Sequence, residues 1–205
     1  MMNFSKSITK DEIATLPIEA FQGRIIVVQS LLEAEKAIRF LAGFDLLGFD
    51  TETKPSFKKG SSNKVALIQL STENTCFLFR LNYIGIPECL VKLLTNTGIK
   101  KIGLSLRDDF SALRRRIPLE PEGFLDLQNY VGRFGIEDVS LQKIYAIIFR
   151  KKISKGQRLT NWEADILSDA QKKYASLDAW ACLKIYKLLK QQEPYSHTEQ
   201  SIVNL

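Results

Sequence analysis

Histidine is all but absent from this chain. The single one, His197, lies in the polar stretch QQEPYSHTEQSIVNL. A Ser-His-Asp triad or a histidine-rich zinc site would have to be built on it, and chain ends hold reacting groups poorly. Cysteine is scarce as well. Cys76, Cys89 and Cys182 are scattered, odd in number and form no CxxC pair. That pattern suggests neither a zinc ribbon nor a disulfide framework, and a reducing, cytoplasmic setting is expected. No apolar run is long enough to cross a bilayer. The leading segment MMNFSKSITKDEIATLP lacks the apolar centre of a signal peptide, so no membrane association is expected. Internal repeats and low-complexity stretches are also missing. If the chain is an enzyme, carboxylates are left to do the work.

What is present is ordinary globular material. The 205 residues, 45% hydrophobic and 25% charged, suffice for one domain with a sizeable core. The net charge of +6 permits an anionic partner such as nucleic acid without requiring one.

Residues 1–23 read as an N-terminal extension and 191–205 as a polar tail, leaving 24–190 as the folded domain. Arg24 to Val28 reads as a strand, followed by Ser30 as a helix N-cap and by helical spacing from Leu31 to Leu41. Leu46 to Thr51 is the next strand. Thr53 to Asn63, rich in lysine, serine and glycine, is a loop. Val65 to Leu70 and Cys76 to Phe79 form a hairpin, because only five residues separate them. Further strands are expected at Lys101 to Leu104 and Gly123 to Leu127, with helices at Pro87 to Thr95 and Asp109 to Arg116. From there helices dominate, at Gln128 to Phe134, Ser140 to Arg150 and Ser168 to Lys190. The order describes an α/β domain with a mixed β-sheet flanked by α-helices.

Two acids stand one residue apart where an apolar strand ends, in LLGFDTET. Side chains alternate along a strand, so Asp50 and Glu52 share a face. Two carboxylates side by side repel unless a cation lies between them, and hard divalent metals take such ligands. Taken alone, the pair is explained by default as a strand end emerging into solvent. Asp108 and Asp109 open a helix directly after a strand, where an Asp serves by default as a cap. Asp178 lies in the apolar helix YASLDAWACLKIY, one turn after Tyr174. If that helix packs on the sheet, Asp178 needs a cation or hydrogen-bond donors.

FDTET, GLSLRDDFSAL and YASLDAWACLKIY, in this order, resemble the three motifs of the DEDD-superfamily 3′-to-5′ exonucleases. Within it they fit the tyrosine branch, which holds RNase D and the exonuclease domain of the Werner syndrome helicase. NKVALIQLS, FLDLQNY and SLQKIYAIIFRKKISKGQRLTNWEADILSDAQ match as supporting stretches, so the resemblance runs from about Arg24 to about Leu189. It implies an RNase H-like (DnaQ-like exonuclease) fold. It also implies catalytic roles for Asp50, Glu52, Asp109, Tyr174 and Asp178, the four carboxylates holding two divalent cations, Mg2+ or Mn2+. Asp109 is preferred over Asp108 because the apolar Phe110 follows it, as in the family. Tyr174 would orient the attacking water, and the product would be a nucleoside 5′-monophosphate.

The expected partner is a DNA or RNA 3′ end, with no obligate protein partner. Thr51, Phe110, Lys155 and Arg158 are the candidate substrate contacts, although core packing competes for Phe110. Lys58, Lys59 and Lys64 form one basic cluster, and Arg150, Lys151, Lys152, Lys155 and Arg158 another. Arg114 to Arg116 sit where a helix end favours cations. Trp162 is expected in the core. The competing class is a catalytically silent nucleic-acid-binding or scaffold module on the same fold. Retention of all four acids and of Tyr174 counts against it.

Overall fold

The computed structural model describes residues 3–55 and 64–192. The lysines expected in the first loop, Lys58 and Lys59, and the tail carrying His197 lie outside the described residues.

The elements follow in chain order. Helix α1 (Lys10–Thr15) precedes strand β1 (Arg24–Val28), helix α2 (Leu31–Leu41), and strands β2 (Leu46–Thr53), β3 (Val65–Ser71) and β4 (Thr75–Arg80). Short helices α3 (Leu81–Ile84) and α4 (Glu88–Leu94) lead to β5 (Lys100–Gly103), α5 (Leu106–Arg114), β6 (Phe124–Asp126) and α6 (Leu127–Tyr130). A 3-10 turn (Val131–Phe134), α7 (Leu141–Phe149) and the long α8 (Asp169–Lys190) complete the described chain. None of the described helices is long and apolar enough to cross a membrane.

The six strands form one mixed sheet in the order β1-β4-β3-β2-β5-β6. The expected hairpin is present: β3 runs antiparallel to β4, and also to β2 on its other side. The pairs β1–β4, β2–β5 and β5–β6 are parallel. Apolar residues cover both faces of the sheet. One core joins Leu67, Leu78 and Ile102 to Ala175, Cys182 and Ile185 of α8. The other joins Leu47, Phe49, Ile68 and Leu70 to α2, α4 and α5. A central strand covered on both sides leaves its end as the place where polar groups can gather.

Local chemistry explains most boundaries. Ser30 with Glu33, and Ser168 with Gln171, form reciprocal capping boxes that start α2 and α8. Pro87 stands at the N-cap of α4. β2 runs two residues past the expected end, to Thr53, and shows a register irregularity after Glu52. α5 starts three residues before Asp109, at Leu106. The helix α3, four residues directly after β4, has no counterpart in the pattern read from the sequence.

The N-terminal segment is more than a lead-in. Ile8, Ile13 and Phe21 are buried in the α8-side core. Glu19 accepts hydrogen bonds from the Tyr145 hydroxyl (2.7 Å) and from Lys151 and Lys184 (3.1 Å each). Burial alone would raise the Glu19 carboxyl, yet these three donors outweigh it and hold the group near a pKa of about 2. Lys152 adds a backbone bridge to Ile18 and donates its ammonium to the Ala14 carbonyl.

Candidate active site

Asp50 and Glu52 leave β2 on the face that α8 covers. They extend a run in which Leu47 and Phe49 are fully buried, each side chain contributing about 1.5–3 kcal/mol. α8 reaches this strand closely because residue 48 is glycine. A Cβ there would stand 2.0 Å from the Ala179 carbonyl oxygen. The approach brings the neighbouring residue, Asp178, to the end of β2. One carboxylate oxygen from each of Asp50, Glu52 and Asp178 lies within 4.8 Å of the others. Glu52 and Asp178 are each only 8% exposed.

At an effective dielectric of about 20, two unit charges at that spacing repel by roughly 3 kcal/mol. That exceeds the net worth of an ordinary hydrogen bond, about 0.5–1.5 kcal/mol. Without a cation the cluster must hold protons. Burial first, then the charges of Asp178, Glu52 and Asp109, drive the Asp50 carboxyl well above the usual carboxylate range. Burial, then the charges of Asp178 and Asp109, push Glu52 up to about 9 against the pull of Arg158. Burial takes Asp178 to about 7 against the opposing pull of Tyr174 and Lys155. A divalent cation would relieve all three at once, and an all-oxygen donor set suits a hard cation.

Asp109 stands outside this trio. Its Oδ1 accepts a hydrogen bond from the Thr51 hydroxyl, so it is tied to the residue between Asp50 and Glu52. Burial raises its carboxyl to about 7, while the Thr51 bond pulls the other way. The default expectation of an acid capping its own helix does not describe α5. Ser105, at the N-cap, has a left-handed backbone (φ 62) and makes no side-chain cap. The cap comes instead from Asp126 at the end of β6. Its Oδ1 accepts from Ser105 N (3.0 Å) and Gln128 N (2.9 Å), its Oδ2 from Leu106 N (2.9 Å). Sequence reasoning passed over Asp126, although FLDLQNY contains it.

Tyr174 is half-buried one turn before Asp178, on the same face of α8, close enough for each group to shift the other's titration. Burial and the nearby carboxylates raise the phenol above its normal range. Its ring packs near the fully buried Trp162, centroids 6.0 Å apart. The segment carrying Trp162 is clamped from two sides. Gln171 donates to the Thr160 hydroxyl (3.0 Å) and the Asn161 carbonyl (3.1 Å). Arg80, fully buried at the end of β4, donates to the carbonyls of Ala164 and Asp165. A charged residue in so buried a place had no signal in the sequence beyond its position after an apolar run.

The basic cluster that follows α7 divides in two. Lys151 and Lys152 hold the N-terminal segment, whereas Lys155 and Arg158 are exposed and share a cleft of about 100 Å³ with Tyr174 and Asp178. Lys64 is exposed just before β3. The three arginines at the end of α5 are structurally engaged. Arg114 pairs with Glu120, Arg115 bonds the Ser111 hydroxyl, and Arg116 bonds the carbonyls of Val65 and Leu81. Phe110 is half-buried and meets the ring of Phe124 edge-on at 4.9 Å. A larger cleft, about 360 Å³, opens at the other end of β2 beside Leu46 and Leu183, away from the acids.

Comparisons with known proteins identify the family and the fold. A sequence model of the 3′-5′ exonuclease family matches residues 25–193. The mouse bifunctional 3′-5′ exonuclease/ATP-dependent helicase WRN is 33% identical over 195 residues, covering 90% of this chain and 14% of that protein. A 3′-5′ exonuclease of Arabidopsis thaliana is 29% identical over 190 residues, covering 85% of this chain and 66% of that protein. This chain therefore spans only part of the length of these relatives. Among solved structures, the Nibbler EXO domain of Aedes aegypti superposes with a TM-score of 0.74 at 23% identity, covering 86% of this chain and 95% of that one. The sheet order and flanking helices are accordingly those of the RNase H-like exonuclease domains. By its sequence over most of its length, and by its fold, the chain belongs to the 3′-5′ exonuclease family.

Proposed function

We propose that this chain is a metal-dependent exonuclease that shortens DNA or RNA from the 3′ end and releases nucleoside 5′-monophosphates. The observation that carries the reading is the meeting of Asp50, Glu52 and Asp178, with Asp109 bound to the same strand through Thr51. Two divalent cations, Mg2+ or Mn2+, would supply the positive charge that activates water and stabilises the leaving oxygen. Asp50 would serve both positions, Glu52 and Asp178 the water side, and Asp109 the leaving-group side.

Tyr174 acts by orientation. A phenol raised above its normal pKa stays protonated at neutral pH. Standing beside Asp178, the hydroxyl would accept from the attacking water through its oxygen and fix the direction of attack. Lys155 and Arg158, exposed beside Tyr174 and Asp178, neutralise phosphates of the incoming strand. The backbone at Thr51 and the open edge of Phe110 would face the terminal nucleotide. Residues 24–190 would carry the catalytic groups, with the preceding segment packed into the α8-side core as a brace and 191–205 following as a tail. The protein would act in the cytoplasm and need no obligate protein partner.

The test is direct. Oligonucleotides of DNA and RNA, labelled at either end, are incubated with Mg2+, Mn2+ or chelator. Stepwise shortening from the 3′ end is expected, abolished by chelator and by Asp50→Ala. Binding without turnover on every substrate would instead mark a silent nucleic-acid-binding module.

A further inference from the structure

The geometry points to Asp126 as the positioning residue for Asp109: from β6 it caps α5 and sets the turn of that helix that presents Asp109 to the site. The inference rests on the reading above, in which Asp109 holds a cation.

Three backbone N–H groups converge on the Asp126 carboxylate. Two of them, from Ser105 and Leu106, belong to the start of α5, and the third, from Gln128, to the start of α6. All three bonds are 2.9–3.0 Å long. Hydrogen bonds to an ionised acceptor are roughly twice as strong as neutral ones. Both oxygens are turned toward these donors, so Asp126 acts here as a clamp. The clamp replaces what the sequence of α5 does not provide, since Ser105 caps nothing with its own hydroxyl. It also holds Ser105 in a left-handed backbone that non-glycine residues rarely adopt. That conformation fixes how the chain leaves β5, and therefore which side of the first turn of α5 faces β2. Asp109 lies on this turn and meets Thr51 there. Without the clamp, Ser105 would relax to an ordinary φ, α5 would turn or fray at its start, and Asp109 would leave Thr51.

The experiment compares Mn2+ binding by calorimetry in the full chain and in Asp126→Ala, Asp126→Asn, Asp109→Ala and the Asp126→Ala/Asp109→Ala double variant. Circular dichroism and melting curves accompany each titration. Loss of partners that orient metal ligands typically costs about 10–100-fold in metal affinity. Asp126→Ala is expected to weaken the Asp109-dependent binding step by about tenfold or more. Asp126→Asn keeps Oδ1 for Ser105 and Gln128, and should recover part of the loss. In the Asp109→Ala background, Asp126→Ala should change affinity by less than about twofold, because its route of action is gone. Amide exchange at Ser105 and Leu106, measured without metal, should be slow in the parent and fast in Asp126→Ala. A lower melting temperature with unchanged Mn2+ binding, or losses that add in the double variant, would overturn the inference alone. A parent chain that binds no Mn2+ would overturn the functional reading beneath it.

Discussion

The Thr51 hydroxyl donates to the Asp109 carboxylate and so joins two motifs that lie 58 residues apart in sequence. Thr51 sits between Asp50 and Glu52 but points to the opposite face of β2, toward α5. One strand thus addresses both halves of the site. It sends two acids to the α8 side and one hydroxyl to the α5 side.

Thr51→Val should test that link. Valine keeps the branched shape and removes the donor. With the bond gone, Asp109 loses a contact that opposes burial, and its carboxyl should rise above the value of about 7 that it has with the bond in place. Nuclease activity is expected to fall about tenfold at pH 7 and less at pH 8.5, consistent with a charge-assisted bond worth about 1.5–3 kcal/mol. A pH–rate profile that coincides with the parent's would remove Thr51 from this role.

Asp50→Asn should separate function from stability. The carboxylate cluster is a site of stored repulsion, relieved in the metal-free protein by protons. Taking out one charge is expected to raise the melting temperature of the metal-free protein at pH 8, while abolishing both exonuclease activity and the melting-temperature gain on adding Mn2+. Differential scanning fluorimetry with and without the metal reads both effects. A lower melting temperature in metal-free buffer would contradict the repulsion picture.

The metal-free protein should lose stability as pH rises. Asp50, Glu52, Asp109 and Asp178 all have folded-state pKa values above their unfolded ones, Glu52 at about 9 and Asp109 and Asp178 at about 7. Between the unfolded carboxylate range, near 4, and these values, the folded state binds more protons than the unfolded one. Stability therefore falls as pH rises through that window. Saturating Mg2+ reverses the trend, because the metal binds only the ionised carboxylates. Urea titrations from pH 5 to pH 9, with metal and with chelator, measure both slopes. A metal-free stability that rises with pH would refute the assignment of raised carboxylates.

Tyr174→Phe is expected to retain Mn2+ affinity within about threefold and to lose about 100-fold in rate, the usual scale of a group that guides proton position. Its ring would still pack near Trp162, so the melting temperature should hardly move. Single-turnover kinetics separate this loss from substrate binding.

Much of this could be read from the residues alone, and the exceptions share a cause. Alternating apolar positions and N-caps marked β1, α2 and the β3–β4 hairpin. That Asp50, Glu52 and Asp178 meet, with Asp109 and Tyr174 beside them, was legible because each lies within a short motif. Asp126 was not, because its value lies in two amides some 20 residues away across β5 and β6. Arg80 was not, because a buried guanidinium is explained only by carbonyls 84 and 85 residues downstream. Ile8 and Ile13 looked like part of a loose lead-in, since a six-residue helix has too short a periodicity to announce a buried face. Long-range contacts decide such cases, and one sequence carries no record of them.

Gly48 offers the last test, because there packing and site are one problem. Gly48 lies two residues before Asp50, and Ala179, whose carbonyl fills the space a Cβ would need, directly follows Asp178. The obstacle is backbone, so no side chain can swing aside. Gly48→Ala must push α8 off β2, and overpacking of this kind costs about 1–3 kcal/mol or more. The displacement carries Asp178 away from Asp50 and Glu52. A melting temperature several degrees lower and Mn2+ binding weakened at least about tenfold are expected together, on the scale of a misplaced ligand shell. Gly43→Ala serves as the control, since its nearest neighbour, the Phe40 carbonyl, is 3.4 Å from the added Cβ. Normal Mn2+ affinity in a folded Gly48→Ala protein would mean that the close approach of α8 does not set the spacing of the acids.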